Sequence, residues 1–441
     1  MVIFEDILWV LVLLGVMILI HELGHFWAAR FFDVKVEAFS FGFGPRLFGF
    51  RRGETDYRFS LVLFGGYVKM AGEQLTDEDV DDPRSYMAKP RWQRLIIAFA
   101  GPFMNVVLAV GLLTGLFMVK YQKAADADLQ AVIGHVVPDS PAAQAGIQDG
   151  DRIVKLDGEN NPTWEDIGLK EVASAYRPMY LTVERDGRRF DAVVTPTLSE
   201  RLGFGYAGWD ERGEVQLGAI EPGYPAEQAG LQKGDVLVSV NGQGIHSVLK
   251  FQEMTKSSGG KPLTVVYTRN GRAQECTLKP VFSKLDGPAR WMIGVAPQQK
   301  LHLITTRLAF PAALSESVRQ NVKGAMLIGS FLKGVVQRRM SAKTVTGPIG
   351  IAQLSGEAAR EGPSSFFILM SMVSLNLAIF NLLPIPILDG GMILMLLVEM
   401  VMQRDLSLAA REAVLKLGFV FILMIFAFVI YNDISKILPP G

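Results

Sequence analysis

Cysteine and histidine, the commonest soft and borderline metal ligands, are scarce in this sequence. One cysteine in 441 residues, Cys276, excludes an intrachain disulfide framework and any Cys-rich metal site. With only five histidines, a pair at ligand spacing stands out. Net charge is missing too. The 44 basic and 44 acidic residues balance, and no polybasic run points to nucleic acid. The N-terminal run also lacks the features expected of a cleavable leader. Glu5 and Asp6 stand where a positive n-region belongs, and the apolar run that follows has no small-residue cleavage site. That run reads as a retained transmembrane helix.

Apolar sequence is plentiful. Hydrophobic residues make up 49% of a chain long enough for several domains. Four segments have roughly the ~20 residues a spanning helix needs: Ile7–Phe26, Leu95–Val119, Phe366–Leu388 and Leu415–Tyr431. The third is interrupted by Asn376, Asn381, Pro384 and Pro386. Arg30 and Lys35 follow the first segment, and Lys89, Arg91 and Arg94 lead into the second. The positive-inside tendency then makes the Ala28–Arg94 loop cytoplasmic, although it also holds the acidic stretch "DEDVDD". Both termini and the long Lys120–Ser365 region lie outside.

That outer region repeats itself. "SPAAQAGIQDGDRIVKLDG" (Ser140–Gly158) aligns with "YPAEQAGLQKGDVLVSVNG" (Tyr224–Gly242) at a constant offset of 84 residues, with ten of 19 positions identical. The offset carries on through "RDGR" at Arg185 and "RNGR" at Arg269. Each copy reads as a short strand, a short helix ended by Gly146 or Gly230, an alternating strand after "GD", and a tight hairpin. The pattern resembles the PDZ domain in the circularly permuted form of bacterial envelope proteases. Between the second copy and the third apolar segment, Leu303–Met340 is amphipathic. It suits a helix on the outer membrane face or over the bundle, or a linker helix packed on the second repeat.

The chemistry is concentrated in "HELGH". His21 and His25 are four apart on a helix and share one face, which suits two imidazoles on one tetrahedral Zn²⁺. Glu22 is rotated away and cannot comfortably be a third ligand, but it can act as general base toward water at the metal. A third ligand is required. Asp389, in "NLLPIPILDGG" at the inner end of the third segment, is a lone acid at the same depth as the histidines by topology alone. His21, His25 and Asp389 would leave one open position, as catalytic zinc sites do.

"HELGH" in the first span, "LDGG" in the third and inserted PDZ repeats together resemble the site-2 protease family of intramembrane zinc metalloproteases. "FGFGP", "FGGYVKM", "AGPFMN" and "GPIGIA" are similar to that family's segments as well. The resemblance implies a multi-pass α-helical membrane protein of four transmembrane helices with two inserted α+β PDZ domains. Its parts are residues 1–119 (first two spans and a β-rich loop), 125–210 and 211–298 (PDZ domains), 299–360 (amphipathic, outer face) and 361–441 (last two spans). It implies one zinc ion and cleavage within or next to the transmembrane segment of a single-pass protein, such as a pre-trimmed anti-sigma factor or a remnant signal peptide. The setting would be the bacterial inner membrane, with the PDZ domains periplasmic and the active site toward the cytoplasm. Membrane lipid surrounds it. The PDZ domains would either bind trimmed substrate tails or act as a size filter that excludes substrates with bulky outer domains.

Cutting a helix requires unwinding it, and an exposed strand can hold the unwound chain by main-chain pairing. "YRFSLVLFGGYVKM" (Tyr57–Met70) alternates like a strand and breaks at Gly65-Gly66, the expected substrate contact. Asn376 and Asn381 match the family's positions for contacting unwound substrate; helix–helix hydrogen bonding is the competing role. Two other function classes fit parts of the pattern. A non-catalytic membrane PDZ scaffold has no use for Glu22. A zinc sensor or transporter would bind metal without cutting peptide.

Overall fold

The computed structural model describes residues 2–73, 82–125, 131–199, 203–284 and 289–437. All of "DEDVDD" except Asp82 lies outside these residues. The helices, in chain order, are α1 (Val2–Phe31), α2 (Arg91–Val119), α3 (Pro141–Gln144), α4 (Trp164–Ala173), α5 (Pro225–Gln228) and α6 (Val248–Ser257). They continue with α7 (Phe310–Val336), α8 (Pro348–Glu361), α9 (Pro363–Asn381), α10 (Asp389–Met402) and α11 (Leu408–Ile437). The chain divides into two compact units, one of residues 1–121, 306–329 and 343–441, the other of residues 122–305 and 330–342.

The first unit contains α1, α2, α9 and α11, the four helices among the described residues that are long and apolar enough to cross a membrane. α1 and α2 approach very closely. A Cβ on Gly24 would lie 2.3 Å from the Ala100 carbonyl oxygen, so only glycine fits this crossing. α2 and α9 are joined by hydroxyls. Ser371 Oγ donates to the Ala109 carbonyl (2.9 Å), and Ser374 Oγ to that of Asn105 (2.8 Å). These bonds use backbone acceptors of the partner helix and leave no hydroxyl stranded in an apolar interior.

The prolines of the third apolar segment end its helix, as their chemistry implies, but Asp389 is helical rather than on extended backbone. The segment's helix, α9, stops at Asn381, because Pro384 and Pro386 cannot donate to a helical ladder. Asp389 then opens a separate 14-residue helix, α10, too short to span a bilayer. Between them Ile387 has φ of 87°, a strained conformation for a β-branched residue. The chain therefore turns sharply just before Asp389.

Tyr57–Met70 belongs to a longer hairpin, β1 (Val36–Arg52) and β2 (Thr55–Met70), whose turn is at Gly53-Glu54. Its register doubles back. Ala38–Phe41 pairs with Asp56–Phe59 on one side and with Gly66–Lys69 on the other, so the hairpin folds into four limbs. Gly66–Met70 forms one edge of this small sheet and Arg46–Arg52 the other.

The amphipathic stretch is helical only from Phe310; Leu303–Thr306 is a strand. The buried face of α7 packs on α2, with Ala313 against Leu113, Leu116 and Phe117, and with Ser317 Oγ donating to the Val110 carbonyl (2.7 Å). At the start of α8, Asp433 of α11 accepts from the N–H groups of Gly347, Ile349 and Gly350. That caps donors a helix N-terminus leaves unsatisfied.

The second unit holds both copies of the repeat. Each has an antiparallel sheet and its own apolar core, around Ile133, Ile153 and Met179 in the first and Leu217, Leu237 and Val265 in the second. The shared "GD" and "R(D/N)GR" motifs meet. Arg185 makes two 2.7 Å bonds to buried Asp151, and Arg269 two to buried Asp235. The same arginines donate to the carbonyls of Gly146 and Gly230. The hairpin turns place Asp186-Gly187 and Asn270-Gly271 at positive φ, as a type I′ turn requires.

Candidate metal centre and active site

His21 and His25 lie one turn apart on α1, and Asp389 reaches them from the first turn of α10. A helix N-terminus also favours a carboxylate there. The histidine Nε2 atoms are 3.2 Å apart. Asp389 places Oδ2 3.2 Å from His21 Nε2 and Oδ1 3.4 Å from His25 Nε2. A tetrahedral ion with ligands at ~2.0–2.1 Å needs ligand–ligand separations of about 3.3 Å. The two imidazole nitrogens are separated by such an edge, each lies that far from one of the two Asp389 oxygens, and one ligand atom from each residue falls within 4.8 Å of the others, so the residues present fit zinc.

The opposite ring atoms support this. His25 Nδ1–H donates to the Ile97 carbonyl (2.8 Å), which leaves the Nε2 lone pair for a metal. The amide of Asn105 lies 3.2 Å from His21 Nδ1, and Asn105 Oδ1, buried, has no hydrogen-bond partner. A half-turn of that near-isosteric amide brings Oδ1 onto a His21 Nδ1–H. That is the acceptor a metal-binding His21 tautomer needs. Gly101 makes room for the rings: a Cβ there would fall 2.2 Å from His25 Nε2 and 2.8 Å from His21 Cε1.

The cluster opens on a cavity of about 260 Å³. Glu22, Asn381 and the edge limb Gly66–Val68 line it, with Tyr86 and Met392. A Cβ on Gly66 would meet Glu22 Cγ at 3.1 Å, so the strand backbone passes directly over the glutamate. Of the residues singled out in the sequence, His21, Glu22, His25, Asp389, Asn381 and Gly66 come together here. Two do not join them. Asn376 is half-buried further along α9, away from the cavity wall. Gly65 lies under the Phe43 ring with φ of 130° and bends the strand. Asn105 and Gly101 were missed as site residues. Their signal was an asparagine in an apolar segment, four residues after a glycine, inside "AGPFMN".

Comparison with known proteins assigns a family. The model of "Peptidase family M50" matches residues 9–425. The chain is similar to the "Regulator of sigma-E protease RseP" of Salmonella typhimurium, with 30% identity over 98% of this chain and 100% of that protein. A Vibrio cholerae protein carrying a zinc metalloprotease name is also 30% identical, over the same shares of the two chains. A solved PDZ domain of an SdrC-like protein from Listeria monocytogenes is 19% identical and covers 20% of this chain and 90% of that one. Its TM-score of 0.18 is too low to support a fold argument. The chain belongs to peptidase family M50, the site-2 protease family, and is a membrane zinc metalloprotease.

Proposed function

We propose that this protein is an intramembrane endopeptidase that hydrolyses a peptide bond within or next to the transmembrane segment of single-pass membrane proteins. One observation carries the reading: His21, His25 and Asp389 converge on one point, and Glu22 lines the cavity that opens from it. In the proposed roles His21, His25 and Asp389 hold one zinc ion. When bound, that ion polarises the scissile carbonyl and lowers the pKa of the attacking water. Glu22 takes the proton from that water and delivers it to the leaving amine. Asn105 and the Ile97 carbonyl hold the two imidazoles in orientation.

The edge limb Gly66–Met70 is proposed to pair with unwound substrate as an added strand. The exposed Leu47, Phe48 and Phe50 on the opposite edge suit a sheet that dips into lipid. Asn381, which lines the cavity, would contact substrate backbone. Asn376 would do so only for a substrate running along α9. Four spans, two PDZ domains at residues 125–210 and 211–298, and a bacterial inner-membrane setting complete the proposal. The repeats would be periplasmic and the active site near the cytoplasm, as supported by Arg30, Lys35, Lys89, Arg91 and Arg94 beside the first two spans. A pre-trimmed anti-sigma factor or a remnant signal peptide is the proposed substrate class, drawn from the family and the named relatives.

The test compares wild type with Glu22→Gln at matched zinc content, on a purified transmembrane-segment substrate in liposomes. Wild type should cut inside the apolar segment, located by mass spectrometry. The variant should be slower by about 10²–10⁴-fold, as loss of a general base predicts. Equal rates would remove Glu22 from the reaction.

A further inference from the structure

The two repeats are copies of one design, so residues that differ between them and face the other copy mark what joins them. At the 84-residue offset α4 and α6 are counterparts, yet they are capped differently. Thr163 and Asp166 at the start of α4 exchange hydrogen bonds in a closed capping box. In α6 the same two positions are Ser247 and Lys250, so the carboxylate of the box is missing. Asp210 of the first repeat supplies one. Its oxygens accept from the Ser247 hydroxyl (2.6 and 2.7 Å) and from the Leu249 N–H (2.9 Å). Gly213, in the short link between strands Trp209–Glu211 and Val215–Ile220, donates its N–H to the His246 carbonyl (2.9 Å).

A second attachment lies further along the same helix. His135, on strand Ile133–Val136 of the first repeat, is only 4% exposed. Its Nδ1 faces both oxygens of Asp149 in its own repeat (3.1 and 2.9 Å), and its Nε2 faces Glu253 Oε2 on α6. The counterparts of His135, Asp149 and Glu253 are Ala219, Lys233 and Leu169, so the fold of a repeat does not require this trio. Glu253 is six residues beyond Ser247, about 9 Å along the helix. The apolar cores of the two repeats are separate. Asp210 and the link pin α6 at one end, where it can still swing; His135 is the second point, which stops the swing.

That second point carries a proton condition. A neutral imidazole has one N–H, and this ring presents both nitrogens to carboxylates. Making both bonds takes a second proton. The charged groups that act on the ring come from three elements, Asp149 from the turn before strand Arg152–Leu156, Glu253 from α6 and Asp210 from strand Trp209–Glu211, and all are acidic. Without the second proton one nitrogen turns a lone pair toward a carboxylate. Asp149, in the same repeat and reached through both oxygens, keeps the Nδ1–H, and Glu253 is the partner lost.

We propose that His135 is an acid-held latch between the repeats: protonated, it grips Glu253 and makes the pair one rigid body; deprotonated, it releases α6 and leaves the repeats hinged at Asp210. Histidine is the side chain whose ordinary charge change falls between about pH 5 and 8, so the arrangement of the repeats follows ambient pH.

The experiment uses the full-length protein in nanodiscs on a Cys276→Ser background. Spin labels are placed through Arg188→Cys in the first repeat and Arg272→Cys in the second, both on exposed hairpins. Distance distributions between the labels are recorded from about pH 5 to 8. Wild type should give one narrow distance at the acid end that broadens as pH rises. His135→Leu removes both bonds and should be broad throughout. Glu253→Gln should stay narrow throughout, because its amide N–H can donate to Nε2 of a neutral ring. Far-UV circular dichroism identifies a variant that fails to fold, and the wild-type titration decides the matter without the variants. An unchanging wild-type distribution would overturn the proposal. So would a folded Glu253→Gln or His135→Leu that is narrow in acid and broadens as wild type does.

Discussion

Two carboxylates held in tertiary structure, Asp389 and Glu171, show how the same group can sit in opposite surroundings. Glu171 meets two N–H donors, and helix and strand close around it. Asp389 meets two imidazole nitrogens that offer lone pairs as readily as protons, and a cavity opens beside them. Donors satisfy a carboxylate and end the matter. Two imidazole nitrogens and a carboxylate crowded at 3.2–3.4 Å are held together by a proton or a cation among them. The difference lies in the partners, not in the acid.

The comparison breaks most completely at Asp389. Asp389→Asn should cost zinc affinity well beyond the 10–100-fold typical of losing an outer-shell partner, and cleavage should fall below detection. Metal analysis after dialysis checks it. Retained stoichiometric zinc would take Asp389 out of the ligand set.

A smaller effect is expected at the helix crossing. In Gly101→Ala the new methyl falls 2.2 Å from His25 Nε2, against a buried ring held by Ile97. Weaker zinc binding and slower cleavage should appear together, while the thermal unfolding of the repeats stays unchanged. Normal zinc affinity would mean that the crossing widens at little cost.

The smallest effect sharpens the other side. Burial pushes the Glu171 carboxyl up from 4.5 to about 7, against the lowering effect of its bonds from Ala207 and Trp209. The folded state therefore binds a proton between about pH 4.5 and 7 that the unfolded chain does not. Its stability from this group is greatest below pH 4.5 and is lost as pH rises through 7. The unfolding midpoint followed by tryptophan fluorescence should rise from pH 8 to 5 more steeply in wild type than in Glu171→Gln. Parallel curves would show that Glu171 does not titrate in this window.

Much of this was legible in the residues. "HELGH" carries its geometry within one helical turn, because i and i+4 share a face in any α-helix. The 84-residue repeat, the Asp186-Gly187 and Asn270-Gly271 turns and the helix-ending Gly146 and Gly230 are likewise local chemistry. What was missed is non-local. Gly101 looks like any glycine in an apolar helix until the histidines of α1 are seen against it. The start of α10 was hidden because an apolar run broken by two prolines does not show where the next helix begins. The doubled pairing of β1 and β2 depends on bulges that alternation does not reveal. Glu171 is an unremarkable polar residue on an amphipathic helix until its partners are known.

By itself the sequence determined the ligand types and their helical spacing, the apolar lengths, the repeat and the turns, since each depends on neighbours within a few residues or on a count. Only the tertiary structure decided that Asp389 meets α1 at 3.2–3.4 Å, that Asn105 stands behind His21, and that Glu171 accepts from Ala207 and Trp209. Those outcomes turn on which donors and acceptors face each other across separate elements. The energy of a polar group away from water depends on that pairing and not on its identity.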